Sequence, residues 1–262
     1  DRHMMKLIHS LEDTGQIDNT IIFMISDHGE MLGQQGARGK IVSWEESIRV
    51  PTLVYHPDLK DKKLCNSVIS NIDIVPTLLE FTGLSKSELR DKHPELKGNS
   101  YAELVENVNY DNVRDKEGHL IHGVQIIPTV FEVAEKFRHT ALADGFLAKT
   151  KAFMSEGKFL PDFTPPLNYK GVVDKKHKFL RFFSPRQNNI PTNYDELTKY
   201  NAEYQLYDLE NDPFEMNDLA KDENNRDLLM SMNDKCNTLA DKEIGLENHV
   251  IHLPGPDWFW TA

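Results

Sequence analysis

Apolar positions at the start of the chain follow a helical rhythm. Met4, Leu7, Ile8 and Leu11 stand at i, i+3, i+4 and i+7 and so line one side of a helix, and Gly15 follows where a left-handed residue closes such an element. The rhythm then breaks. From Thr20 to Ser26 the chain is an unbroken run rich in Ile, Phe and Met, without polar alternation, which predicts a strand covered on both faces, as in a parallel α/β sheet. The run ends on Asp27-His28-Gly29-Glu30, and Gly29, Gly33, Gly36 and Gly39 mark a glycine-rich loop that passes into a polar segment ending at Arg49. After Val50-Pro51, Thr52-Leu-Val-Tyr55 reads as a second short strand. Asp73 is placed to N-cap a helix over 74–81, with Pro76 in its first turn and Gly83 ending it. Strand, loop, strand, helix is the order of an α/β fold.

Beyond about Ser85 the pattern loosens, with more charge, more Asn and less periodicity, and a boundary belongs there. Residues 128–156 carry helical patterning, and Pro161, Pro165 and Pro166 predict an irregular connection. Residues 178–183 and 204–208 read as strands of a smaller antiparallel sheet, the first with a basic outer face. Asn211-Asp-Pro213 is a turn signal, residues 228–239 form a helix pattern, and the tail from His249 carries Trp258, Trp260 and two prolines. There is no internal repeat and no low-complexity tract.

Composition narrows the function classes. A net charge of -12 argues against a nucleic-acid binder, whose footprint is basic. No apolar run approaches the ~18 residues of a membrane span. Cys65 and Cys236 lie far apart and lack zinc or CxxC spacing, so no disulfide framework is expected and the compartment stays open: cytoplasmic, periplasmic or secreted.

The candidate chemistry sits at the end of the first strand. In α/β sheets, sites form at the carboxyl ends of strands. There Asp27 and His28 offer a carboxylate and an imidazole to a divalent cation that accepts mixed oxygen and nitrogen ligands, and Gly29 lets the backbone turn sharply beside them. Two ligands do not complete such a site, so further ligands must come from elsewhere. Lys40, at the end of the glycine-rich loop, supplies an ammonium group that near a metal holds an anionic oxygen and offsets charge in a transition state. His119, His122, His139 and His177 read as surface or loop residues, and Lys175, Lys176, Lys178 and Arg181 as a solvated strand face.

Ser26-Asp-His-Gly-Glu-Met-Leu-Gly33, Gly39-Lys40, Trp44-Glu-Glu-Ser47 and Arg49-Val-Pro51 together resemble the sulfatases of the alkaline phosphatase superfamily. The resemblance continues in Asn71-Ile-Asp-Ile-Val-Pro-Thr-Leu-Leu79, in Gly98-Asn-Ser100, and in Leu206-Tyr-Asp-Leu209 with Asp212-Pro-Phe-Glu215 and Asn217-Asp-Leu219. It implies an alkaline-phosphatase-like α/β sandwich, here with an incomplete main sheet over residues 1–85. A smaller C-terminal α+β subdomain with an antiparallel sheet, an insertion and the tail would follow over 86–262. It also implies that Asp27 and His28 bind one divalent metal, Ca2+ or alternatively Mn2+, that Lys40 contacts the sulfate or phosphate oxygens, and that Glu45, Glu46 and Arg49 set the loop through salt bridges.

The chain also departs from the family pattern. Gln35 stands where the family's loop often has histidine, and neither C-x-P-x-R nor S-x-P-x-R, the source of the formylglycine nucleophile, occurs. The family's paired aspartates and the lysine and histidines flanking the nucleophile are missing too. The expectation is therefore a C-terminal portion of a sulfatase, acting on a small-molecule sulfate ester and inactive by itself. A missing N-terminal segment would carry formylglycine and complete the fold. The alternatives are a phosphonate monoester or phosphodiester hydrolase of the same superfamily, or a non-catalytic truncated product or pseudoenzyme.

Overall fold

The structure is a computed structural model that describes residues 2–40, 42–59, 62–124, 168–182, 190–200 and 203–245. The helices expected over 128–156, the connection at Pro161, Pro165 and Pro166, His139, and the tail with Trp258 and Trp260 lie outside the described residues. Two compact units share the chain. The first comprises Asp1–His119, Val173–His177 and Leu209–Met216, and the second Leu120–Val172, Lys178–Asp208 and Asn217–Ala262.

The first unit opens with helix α1 (Arg2–Asp13), whose apolar stripe is the one the spacing predicts. Gly15 closes it at φ +68°, and the Gln16 amide reaches back to the Leu11 carbonyl at 2.8 Å. Strand β1 (Ile22–Met24) follows, then the glycine-rich loop, the single-turn helix α2 (Glu45–Ile48) and strand β2 (Leu53–Tyr55). Helix α3 (Ile74–Phe81) has the predicted bounds, and Gly83 ends it at φ +97°. Helices α4 (Lys86–Lys92), α5 (Ala102–Glu106) and α6 (Val113–Glu117) complete the unit's helical part.

Strand β1 departs from expectation. It is three residues long rather than seven and pairs antiparallel with β2, Phe23 opposite Val54. Its faces are not both covered, since Met24 and Ile25 are exposed, as are Leu53 and Tyr55 across the pair. An apolar run without alternation records that the strand is made for burial. It does not record which neighbour provides the cover.

Asp73 also plays a different part from the one its position suggests. It stands just before α3, but its side chain does not cap that helix. The buried carboxylate instead accepts the Ser70 and Asn99 amides, at 2.9 and 2.7 Å, and pairs with Arg114 of α6. The turn at Gly98 is pressed against this group so closely that a Cβ there would sit 2.0 Å from the Ile72 carbonyl oxygen.

The second unit is built on a four-stranded antiparallel sheet in the order β3 (His119–Val124), β4 (Asn168–Val173), β5 (His177–Phe182), β6 (Glu203–Asp208). Helix α7 (Tyr194–Tyr200) precedes β6, and the long helix α8 (Arg226–Ile244) ends the described chain. Leu229, Met232, Cys236 and Leu239 of α8 recur every three or four residues and meet Val172, Phe179, Leu197 and Leu206 in one core. Asp218 joins this core's border by accepting the Leu206 amide at 3.1 Å and the Ala220 amide at 3.0 Å. The expected basic outer face of β5 is not found. Lys175 and Lys176 in the preceding turn are exposed, but Lys178 and Arg181 are fully buried. Both sides of this strand are covered, and the Arg181 Nη1 donates to Asn233 and Asn237 of α8 at 2.6 and 2.7 Å.

The whole is a mixed α/β architecture. Among the described residues no helix is long and apolar enough to cross a membrane, and both cysteines are free, Cys65 exposed and Cys236 buried.

Candidate active site

Where β1 ends, the chain must leave the strand and turn within a few residues, and hydrogen bonds fix how it does so. The Ser26 hydroxyl donates to the His28 carbonyl at 2.8 Å, and the Asn71 side-chain amide donates to the Ser26 carbonyl at 3.2 Å. The Gly29 amide donates to the Ser47 carbonyl at 2.7 Å, so the turn lies directly on the backbone of α2. Only glycine fits there, since a Cβ would come within 2.0 Å of the Glu46 carbonyl oxygen.

This turn leaves Asp27 and His28 side by side. Asp27 Oδ1 accepts the His28 amide at 2.9 Å, and Oδ2 lies 3.3 Å from His28 Nε2. The Asp27 side chain is 83% exposed and that of His28 36%, so both are open to a ligand. The His28 backbone amide, followed by the imidazole and Lys40 as lesser influences, holds the Asp27 carboxyl below its ordinary pKa and favours the carboxylate. His28 Nδ1 is 2.8 Å from the Gly29 carbonyl oxygen. A proton on Nδ1 satisfies that carbonyl and leaves the Nε2 lone pair as an acceptor.

Lys40 reaches the same point from the far end of the glycine-rich loop, its Nζ in hydrogen-bond contact with His28 Nε2. The loop between them is short-wired. The Met31 amide donates to the Gly39 carbonyl at 2.9 Å, the Gly33 amide to the Ala37 carbonyl at 2.9 Å, and Met31 is fully buried. The structure thus brings together Asp27, His28 and Lys40. Among the described residues no group of three or more His, Cys, Asp or Glu side chains stands where it could hold a metal, so Asp27 and His28 are joined by no third ligand of those types. A carboxylate, an imidazole lone pair and an ammonium at one exposed strand end form half of a cation site and one anion contact.

Glu45, Glu46 and Arg49 were expected to act through salt bridges, and the tethering is instead largely by backbone. Ser47 offers its carbonyl to the Gly29 amide and the Glu46 carbonyl packs against the Gly29 α-carbon, while the Glu45 amide donates to Glu215 Oε2 at 2.8 Å. No ion pair of Glu46 or Arg49 stands among the described residues. Gln35, at the position expected to lack a histidine contact, donates from Nε2 to the Phe214 carbonyl at 2.7 Å. Glu215, Phe214 and Asn71 are neighbours of the site that spacing alone did not identify, although all three lie inside the segments that carry the family resemblance.

Known proteins resemble this chain in sequence over its first third and in fold over most of its length. Residues 1–84 match the model of the Sulfatase family. An ulvan-active sulfatase of Formosa agariphila is 38% identical over 105 residues, which cover 38% of this chain and 19% of that protein. The fold matches that of a protein solved in complex with its substrate D-glucosamine-2-N,6-O-disulfate, with a TM-score of 0.61 at 19% identity over 94% of this chain and 40% of the other. It also matches the phosphonate monoester hydrolase of Agrobacterium radiobacter, with a TM-score of 0.57 at 20% identity over 91% of this chain and 38% of the other. The chain spans between 8% and 22% of the length of the curated relatives it matches. Residues 1–84 are thus similar to the sulfatase family, and the chain shares the alkaline-phosphatase-like fold of these solved structures.

Proposed function

We propose that this chain is part of a metal-dependent hydrolase of small-molecule sulfate esters. In this reading Asp27 and His28 hold a divalent cation, Ca2+ before Mn2+, and Lys40 binds an oxygen of the ester. The observation that carries the reading is the convergence of Lys40 Nζ and the Asp27 carboxylate on His28 Nε2. A carboxylate held in its charged form and an imidazole lone pair make a donor set that fits such a cation. When bound, the metal would act as a Lewis acid on an ester oxygen. The chain's own contribution is to keep the Asp27 carboxylate charged, to aim the Nε2 lone pair, and to place the Lys40 ammonium where negative charge gathers. The formylglycine nucleophile and the remaining ligands come, in this reading, from protein outside residues 1–262, so the chain alone has no turnover.

A phosphonate monoester or phosphodiester hydrolase is the second reading, favoured by the fold match to the Agrobacterium radiobacter enzyme. The test is made on the complete enzyme with 4-nitrophenyl sulfate and a phenylphosphonate monoester side by side. Sulfate turnover that is lost in Asp27→Ala, together with weakened Ca2+ binding by calorimetry, supports the first reading. Dominant phosphonate turnover favours the second, and unchanged activity in Asp27→Ala overturns the site assignment in both.

A further inference from the structure

We propose that Glu215 is a positioning residue: with the Asp212-Pro213-Phe214-Glu215-Met216 turn it clamps the glycine-rich loop at two points and thereby sets where Lys40 stands relative to His28. The inference rests on the reading of Asp27, His28 and Lys40 given above. Glu215 is buried, and its Oε2 accepts the Glu45 amide at 2.8 Å, just after the loop returns from Lys40. On either side of Glu215 in sequence, the Phe214 carbonyl and the Met216 sulfur receive Gln35 Nε2 at 2.7 and 3.4 Å, just before the loop reaches Lys40. One short turn therefore grips the loop upstream and downstream of the lysine.

Backbone geometry marks the same junction. The non-glycine residues with left-handed φ among those described are Leu32 at +49°, Gln35 at +50° and Glu215 at +55°. All belong either to the loop or to the turn that holds it. Each such residue is strained and persists where surrounding contacts over-determine it. Here the contacts are those made by Gln35 and Glu215 across the junction. The Glu215 amide also donates to the Asp212 carbonyl at 3.1 Å, which closes the turn and sends the carboxylate inward. Gly29, packed under the Glu46 and Ser47 backbone, carries the other side of the same frame to His28. Glu215 touches none of the groups assigned to the reaction and acts through Glu45 and the loop. A displacement of about 1 Å at a catalytic group is enough to cost on the order of a hundredfold in rate.

The test uses the complete enzyme with 4-nitrophenyl sulfate and four variants: Glu215→Ala, Glu215→Gln, Gln35→Ala and Lys40→Ala. Glu215→Ala is expected to lower kcat/KM at least tenfold per folded molecule. Glu215→Gln should recover most of that loss, because its amide oxygen accepts the same Glu45 amide. Gln35→Ala should lose about threefold to tenfold while melting close to the parent. In hydrogen exchange, the Gly29, Met31 and Glu45 amides should lose protection in Glu215→Ala, and those of α8 should not. If Glu215→Ala fails to fold, Gln35→Ala and Glu215→Gln carry the comparison, and parent-like kcat/KM in Gln35→Ala then overturns the proposal. An activity per folded molecule unchanged in Glu215→Ala while Lys40→Ala is dead overturns the positioning role alone. Full activity in Lys40→Ala overturns both that role and the reading of the site.

Discussion

Arg114 grips Asp73 with two parallel hydrogen bonds, Nε to Oδ2 at 2.9 Å and Nη2 to Oδ1 at 2.7 Å, and both side chains are 1% exposed. The pair welds α6 to the start of α3, and the Ser70 and Asn99 amides complete the carboxylate's shell. A buried ion pair is a weak source of net stability compared with an apolar replacement of both partners, yet breaking it is severe because one charge is left uncompensated. Arg114→Met is therefore expected to cost about 3–5 kcal/mol. Asp73→Ala should cost at least as much, since it also orphans two half-buried amides. Equilibrium urea unfolding measures both, and a loss below about 1 kcal/mol for Arg114→Met would mean that the pair contributes as a surface bridge does.

Gly29→Ala forces a Cβ against the backbone of Glu46, not against a side chain that could swing away. The strand end or α2 must move. A cost of about 1–3 kcal/mol in stability is expected from such overpacking. In the complete enzyme a larger relative loss of kcat/KM should accompany it, because His28 moves with the turn. Parent-like kinetics in a folded Gly29→Ala enzyme would show that the turn tolerates displacement.

Glu88 closes the capping box of α4. The Ser85 amide, and after it the Lys92 ammonium and the Ser85 hydroxyl, draw its pKa from 4.5 to about 2. The unfolded chain therefore binds more protons than the folded one between those values, and stability rises with pH across that window. The contribution is complete above about 4.5 and is lost as pH falls toward 2. Carboxyl NMR should place the Glu88 midpoint near 2, and Glu88→Gln should make protection of α4 insensitive to pH in that range. A midpoint near 4.5 would contradict the box as drawn.

Lys170 acts with the same sign at the alkaline end of the range. Burial first, then the charge of Arg181, lowers its pKa from 10.5 to about 8. Between those values the unfolded chain holds a proton that the folded one has released, so stability rises from pH 8 toward 10.5 on this group's account. Lys170→Met should flatten the rise relative to the parent in thermal melts across the window. An identical slope in both proteins would place the Lys170 amine in water.

Met24, Ile25, Leu53 and Tyr55 leave the β1–β2 pair with an exposed apolar surface. Such an edge invites pairing with another chain. The chain by itself is expected to self-associate in sedimentation velocity, and Leu53→Lys with Ile25→Lys to reduce that tendency. A parent chain that stays monomeric and melts cooperatively contradicts the expectation.

The sequence by itself determined the local elements and marked Asp27, His28 and Lys40 as a candidate site. The heptad-like spacing of α1, the bounds of α3, the strand at 204–208 and the helix around 228–239 are consequences of periodicity and of glycine and proline chemistry within a few residues. Asp27, His28 and Lys40 were legible because a strand end, a turn and a loop of fixed length place them in one neighbourhood. Tertiary structure decided what covers each surface and which distant groups meet. Asp73 has the sequence of an N-cap, and only a partner 41 residues away turns it into a buried ion pair. Lys178 and Arg181 have the sequence of a solvated face and are buried because β5 is covered on both sides. Glu215 reaches Glu45 across 170 residues, and no local pattern encodes that meeting. Propensity and periodicity act within a turn or two of chain, whereas burial and charge pairing depend on the cover that the folded chain provides.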